Sequence, residues 1–250
     1  MKYLRDWDTP PRIDEAELID DENQPYSDFR ASMRDVQNAN TFLGGTYVVK
    51  KQVSLWLREA KERPGDSRTA VTFLDVATGS ADLPKAILKA ADRERIKARV
   101  VGLDFSSPIL RFAREEVGLE QDIRLVRGDA FNLPFADSSV DYVLCSLAFH
   151  HWGFDQSLAA LREMERVARK GWLVNDLRRS KSAWRLFKIV SHLAGMNRMT
   201  KHDGPASILR SYSIPEFHAM PNALGLEHGA DYALRQTPFY RVALIRRKSS

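Results

Sequence analysis

The sequence predicts an α/β fold built on a mostly parallel, doubly wound sheet. Three observations carry that reading. From Val71 onward, short apolar runs of strand type alternate with amphipathic helical segments. The first run passes through an acid into a loop of small residues, Asp75–Ala81 (DVATGSA). Two further runs also close on aspartates, Asp104 and Asp129. Open α/β sheets bind ligands outside the carboxyl ends of their strands, which is where this loop and these acids fall.

The elements follow in order. Residues 1–26, with Pro10, Pro11 and Pro25, read as a loosely packed arm. Asp28–Asn40 places Phe29, Met33 and Val36 on one helical face, and Thr46–Lys61 does the same with Val49, Val53, Trp56 and Leu57. Phe42–Gly45 forms a joint between them, and Arg63–Thr69 (RPGDSRT) a linker. The chain thus divides into an N-terminal arm and helical cover, 1–62, and an α/β domain, 63–250. Val71–Val76 is the first strand, and a helix follows its loop. Arg99–Asp104 is the second, followed by a helix with Ser107 as N-cap and Pro108 at the first helical position. Ile123–Val126 and Val140–Ser146 are the third and fourth strands. In the next helix Arg162, Arg166 and Arg169 recur opposite Leu158, Leu161 and Met164, a solvated face. Gly171 caps that helix before a fifth strand, Trp172–Leu177. Lys181–Gly195 is amphipathic, Arg198–Ser213 is irregular, and Ser213–Glu216 is a capping box opening another helix. Leu226–Leu234 and Phe239–Arg246 close the sheet as a strand pair.

Composition bounds the rest. One cysteine, Cys145, excludes an internal disulfide and fits a small core residue. No apolar window is long enough to span a membrane, so stable membrane insertion is not expected. The first residues contain no hydrophobic signal region, and a cytoplasmic location is the default. A net charge of +5 permits an anionic partner, but aromatic and basic residues do not interleave as a stacking platform for nucleic acid needs.

The loop chemistry is more selective. No GK[ST] follows, so it is not a P-loop, and the dinucleotide glycine positions read Ala77, Gly79 and Asp82. Asp82 at the helix N-terminus repels a diphosphate. Asp75 and Asp82 suit a ligand with a cationic centre and an amino group, such as a sulfonium cofactor. An acid closing the second strand can accept both ribose hydroxyls, as Asp104 can here. Asp129 can accept from an adenine amino group. Each of these acids, taken singly, also suits an ordinary turn or cap.

With these pieces in place, the chain resembles a class I S-adenosylmethionine-dependent methyltransferase of the ubiquinone/menaquinone-biosynthesis-like branch, which also resembles many small-molecule O-methyltransferases. LDVATGSADLP, VVGLDFSSPIL, RGDAFNLPFADSSVDYVLCSLAFHHW and LREMERVARKGWLVNDLRRS carry the likeness across Val71–Ser180. The resemblance implies a Rossmann-like sheet of seven strands, mostly parallel with an antiparallel last strand, helices on both faces, and N-terminal helices over the pocket. It implies S-adenosyl-L-methionine as cofactor, held by Asp75, Ala77, Gly79, Asp104, Phe105, Asp129, Ala130 and Ser146. The family loop is richer in glycine. Ala77 and Ala81 depart from it and are tolerable at negative φ.

Methyl transfer needs a positioned nucleophile and, for a phenol, a base. His150 and His151 follow the fourth strand, near the expected methyl group; they can equally shape the pocket. Asn175, Asp176, Arg178 and Arg179 end the fifth strand as a polar cluster: the first two can orient a hydroxyl and either arginine can bind an acidic or phenolate group, or an Arg–Asp pair can brace the loop. His202 and Asp203 can form a His–Asp base pair or a turn. Leu43–Gly45, Asn175–Ser180 and His202–Pro205 together resemble bacterial methyltransferases of polyketide and quinone-like pathways. The resulting expectation is O-methylation of a phenolic or enolic, aromatic or lipid-like small molecule by a monomer or homodimer without a metal. Alternatives are C-methylation of a quinol, nucleic-acid or protein methylation, and a non-catalytic protein of the same fold.

Overall fold

The computed structural model describes residues 8–20, 25–42, 46–62 and 70–248. The Leu43–Gly45 joint and the Arg63–Thr69 linker lie outside them. Two helices come first, α1 (Tyr26–Phe42) and α2 (Tyr47–Glu62). There follow β1 (Val71–Val76), α3 (Asp82–Glu94), β2 (Ala98–Asp104), α4 (Ser107–Val117), β3 (Ile123–Arg127) and β4 (Val140–Ser146). Then come α5 (Phe154–Val167), β5 (Ala168–Leu177), α6 (Lys181–Leu193), α7 (Arg198–Arg210), α8 (Ile214–Ala223), β6 (Tyr232–Thr237) and β7 (Arg241–Arg247).

The strands form one seven-stranded sheet in the order β3-β2-β1-β4-β5-β7-β6. Strands β1 to β5 pair in parallel, and β7 runs antiparallel to both β5 and β6. The expected architecture is therefore present, with β7 as the reversed strand. The order of strands reverses at β1 and β4, so a crevice opens between their carboxyl ends. Both faces of the sheet are covered. On one, Val49, Val53 and Trp56 of α2 meet Phe73, Tyr142 and Leu173, and Trp56 stacks on Tyr142 at 4.3 Å between ring centres. On the other, Leu161 and Met164 of α5 and Phe217 of α8 pack on Val143, Cys145 and Trp172. No helix among the described residues is long and apolar enough to cross a membrane.

The structure moves several boundaries for physical reasons. Ser106, not Ser107, caps α4 through its hydroxyl, leaving Ser107 and Pro108 as the first two helical residues. Gly171 lies inside β5 rather than capping α5, opposite Arg247. A Cβ there would come within 2.3 Å of the Arg246 carbonyl oxygen, so the residue is needed for close strand approach. Arg169 is in β5, and Arg166 is pinned rather than solvated. Its guanidinium binds Glu163, Asp137 and the carbonyls of Leu133 and Phe135. The Ser213–Glu216 capping box forms as expected.

The largest correction is Arg198–Ser213, which is helix α7 rather than an irregular segment. Asn197 caps it, accepting from the Met199 amide at 2.7 Å. It is buried on several sides, by Met199, Thr200, Asp203, Ala206 and Ile208, so no single apolar stripe marks it in the sequence. Gly204 lets α6 approach: a Cβ would lie 2.1 Å from the Phe187 ring. Gly204→Ala, which in an open helix gains about 1 kcal/mol, is expected here to destabilise by about 1–3 kcal/mol through overpacking. Urea unfolding measures the sign.

Of the arm expected over 1–26, residues 8–20 are packed rather than loose, while 1–7 and 21–24 lie outside the described residues. Residues 8–20 form a strap across α6, α7 and the end of β5. Asp8 accepts from the amide and hydroxyl of Ser182 at 2.8 and 2.7 Å and from the Ser180 hydroxyl, securing the start of α6. Arg12 donates to the carbonyls of Trp152, His150 and Arg210 and lies over the Tyr212 ring. Asp203 accepts the amides of Leu18 and Ile19 at 2.8 and 3.0 Å.

Candidate active site

The small-residue loop is built from hydrogen bonds that fix an unfavourable backbone. Ala77, Gly79 and Ala81 all lie in the left-handed region, at φ 54°, 55° and 56°. The two alanines are therefore not at the negative φ expected of them. Each conformation costs about 1–2 kcal/mol in an L-residue other than glycine. The surroundings enforce it: Thr78 donates its amide to Leu103 O at 2.9 Å and its hydroxyl to Asp75 Oδ2 at 2.7 Å. The Gly79 amide donates to Asp104 Oδ2 at 3.1 Å. A Cβ on Gly79 would meet nothing within 4 Å, so the crevice beside it is open.

That crevice is one wall of a cavity of about 1260 Å³. Asp75, Ala77, Gly79, Asp104, Phe105, Asp129, Ala130 and Ser146 all line it. Asp104 also accepts the Ser106 amide at 3.0 Å, so this carboxylate sets the turn after β2 as well as facing the crevice. Phe105 lies exposed against the Arg127 guanidinium. Asp129 Oδ1 accepts the Phe131 amide at 2.8 Å, and Ser146 accepts from Asn175 at 2.8 Å. Buried Asp75 has one oxygen, Oδ1, with no hydrogen-bond partner among the described residues. Burial pushes its carboxyl up to about 8, the Thr78 hydroxyl opposes this, and Asp82 and Asp104 add to it. Burial also raises Asp82 and Asp104. Such a concentration of desolvated acids favours a cationic ligand.

The other wall centres on a short 3₁₀ turn, Phe149–His151, directly after β4. His150 is buried, with Nδ1 2.7 Å from Asp176 Oδ1, and its amide donates to Asp176 Oδ2 at 3.0 Å. Burial alone would raise Asp176. The facing His150 ring, its hydrogen bond and the amides of Leu177 and His150 outweigh that and hold the carboxyl below its ordinary value. An ionised Asp176 can only accept, so Nδ1 is the donor of this pair. His151 also lines the cavity and is the more exposed of the two.

Not every residue expected at the acceptor wall is there. Arg178 lines the cavity, beside Tyr240 and Gln236. Asn175 is fully buried against Ser146 and does not line it. Arg179 turns away, gripping both Glu216 oxygens at 3.1 and 2.9 Å and the Ser211 carbonyl, so it joins β5 to α8. His202 and Asp203 do pair, at 2.9 Å, but His202 points outward to Glu15 while Asp203 holds the strap. His202 is thus absent from the cavity wall. Residues without a sequence signal take these places. Glu17 belongs to the stretch read as a loose arm, and it lines the cavity. Arg241, heading the apolar run of β7, is pushed down to about 10 by burial, which the Asp176 charge partly opposes.

Residues 74–174 match the family described as methyltransferase domain. These residues are a methyltransferase domain. The match falls within Val71–Ser180, whose motifs resemble those of class I S-adenosylmethionine-dependent methyltransferases. The chain is similar to the demethylmenaquinone methyltransferase of Staphylococcus epidermidis, 39% identical over 120 residues, 48% of each chain. The Staphylococcus aureus protein of that name is 33% identical over 138 residues, 55% of each chain. The chain thus spans about half the length of the curated relatives it matches. Solved structures extend the likeness as a fold. The plantazolicin methyltransferase BpumL, in complex with S-adenosylhomocysteine, matches with a TM-score of 0.63 at 13% identity, over 89% of this chain and 91% of that one. Magnesium protoporphyrin IX methyltransferase from Synechocystis PCC 6803, also with that product bound, gives 0.52 at 16%, over 82% and 84%. The methyltransferase domain contributes the small-residue loop, the three strand-end acids and His150. The strap, α6, α7 and β7 close the cavity from outside its bounds.

Proposed function

We propose that this protein transfers the methyl group of S-adenosylmethionine to a ring carbon of a hydroxylated aromatic small molecule of quinol type. The observation that carries the reading is the shared cavity, with buried acids on one wall and the Asp176-oriented His150 on the other. At about 1260 Å³ it exceeds the roughly 300–1,000 Å³ usual for one ligand, leaving space for an acceptor beside the cofactor. In this reading Asp104 holds the ribose and Asp129 the adenine, while Asp75 Oδ1 takes the cationic amino-acid end; their position on the cavity wall and the unpartnered Asp75 oxygen support it. His150 Nε2 can accept the proton of a ring hydroxyl, which pushes electron density onto the neighbouring ring carbon that attacks the methyl. Attack on the sulfonium methyl forms the carbon–carbon bond as the carbon–sulfur bond breaks, and S-adenosylhomocysteine leaves. The ring carbon then loses its proton to solvent water, and the protonated His150 returns its own to the ring oxygen, which restores the aromatic hydroxyl and the base.

The names of the staphylococcal relatives favour carbon over oxygen as the methylated atom. Leu186, which lines the cavity, and Ile189 on the same helix are exposed apolar residues, and they suit an acceptor with an apolar body or tail. The test uses S-adenosylmethionine and 1,4-dihydroxynaphthalene kept reduced, with proton NMR of the product. A ring methyl supports the proposal, and a methoxy group assigns O-methylation instead. Calorimetry with S-adenosylhomocysteine checks the cofactor wall: Asp104→Ala is expected to weaken binding at least tenfold. If the unaltered protein does not bind it, the reading fails.

A further inference from the structure

We infer that Glu17 is the acceptor-anchoring residue: its Oε1, brought beside His150 and His151 by the N-terminal strap, receives the hydrogen bond of an acceptor hydroxyl. The inference rests on the reading of a hydroxylated acceptor given above. The Glu17 side chain is only 4% exposed and lines the cavity. Its Oε1 has no hydrogen-bond partner among the described residues. The groups nearest to it stand just beyond hydrogen-bond reach: Arg210 Nη1 at 3.7 Å, His151 Nδ1 at 3.8 Å and His150 Nε2 at 3.9 Å. A buried carboxylate oxygen without a donor is unfavourable, so the fold must hold it there against that penalty.

The holding device is visible. The residues next to Glu17, Leu18 and Ile19, give their amides to the two oxygens of Asp203. Arg12, on the other side, is clamped to carbonyls of the turn that carries both histidines. The strap and the histidine turn are thus tied into one unit with Oε1 facing the cavity. A hydroxyl placed there has one proton, which it gives to Glu17 on binding; passing that proton to His150 Nε2, 3.9 Å from the Glu17 oxygen, belongs to the later chemical step. An ether at the same place has no proton to donate and leaves Oε1 unpaired, so discrimination between the two is expected. The ligand atoms of Glu17, His150 and His151 lie within 4.8 Å of one another, which also suits a metal ion. The Arg210 guanidinium beside the same oxygen repels a divalent cation and favours a neutral donor.

The experiment titrates 1,4-dihydroxynaphthalene and 1,4-dimethoxynaphthalene into the full chain saturated with S-adenosylhomocysteine, anaerobically, with and without EDTA. The unaltered protein is expected to bind the diol at least tenfold more tightly than the diether, in both buffers. Glu17→Gln, close in shape, should remove most of that preference, while Glu17→Asp retains part of it. Both variants should bind S-adenosylhomocysteine normally. Equal diol affinity in Glu17→Gln overturns the inference and leaves the quinol reading standing. Loss of the preference in EDTA overturns it in favour of a metal. Failure of the unaltered protein to bind either compound overturns the quinol reading and this inference with it.

Discussion

His150→Ala is expected to lower kcat by about 100- to 10,000-fold, the range a positioned acid–base group contributes, with S-adenosylhomocysteine affinity unchanged. The reason is the buried pair: Asp176 stays ionised against its own desolvation because the His150 ring and three hydrogen bonds face it. It fixes the ring with Nδ1 as donor, so the neutral ring offers Nε2 to take a proton. Alanine also leaves a hole beside a buried charge, which confuses stability with catalysis. His150→Gln fills much of the space and cannot take up the proton, so it should match alanine in rate with a smaller loss in unfolding temperature. Asp176→Asn keeps the shape and removes the charge that orients the ring, and it too should be slow. Single-turnover rates at saturating cofactor decide the matter. Rates within threefold of the unaltered protein for His150→Gln would remove the histidine from the mechanism.

The second large effect belongs to Asp75. Its carboxyl is pushed up to about 8 in the folded chain, against an ordinary value of 3.8. The folded state therefore holds a proton that the unfolded chain has released. The stability this confers is complete below about pH 4 and is lost as pH rises toward 8, with a slope of at most about 1.4 kcal/mol per pH unit. The ligand-free protein should lose stability across that window, and Asp75→Asn should flatten the curve. A cation in the crevice reverses the preference and expels the proton. Cofactor binding at pH 7 is therefore expected to release up to one proton, seen as a dependence of the calorimetric enthalpy on the buffer. In Asp75→Asn that dependence should be reduced. No release in the unaltered protein would mean that the cationic end of the cofactor lies elsewhere.

What the sequence disclosed and what it concealed follow from the range of the interactions involved. The central strands were legible because full burial writes continuous apolar runs: Val71–Val76 and Val140–Ser146 are the observed bounds. The cavity wall that carries Asp75, Asp104 and Asp129 was legible because one short loop and three strand ends supply it, each marked by local residue type. The acceptor wall was not, because its parts are distant in sequence. Arg179 and Asn175 look like site residues at a strand end, yet their partners Glu216 and Ser146 are set by tertiary packing. His202 next to Asp203 looks like a base pair, but Asp203 is committed to two amides some 185 residues away. The left-handed alanines illustrate the opposite error. Residue type argued against positive φ there, and the hydrogen bonds around the loop overrode it.

The strap has a further consequence for how the molecule comes into being. Residues 8–20 are synthesised before Ser180, Ser182, Asp203 and Arg210, to which they are tied. The sheet up to β5 can be complete while residues 8–20 still wait for their anchors. The cavity is then the last part to mature. Deleting residues 8–20 is expected to leave the crevice beside Gly79 in place and to remove the part of the cavity wall that carries Glu17.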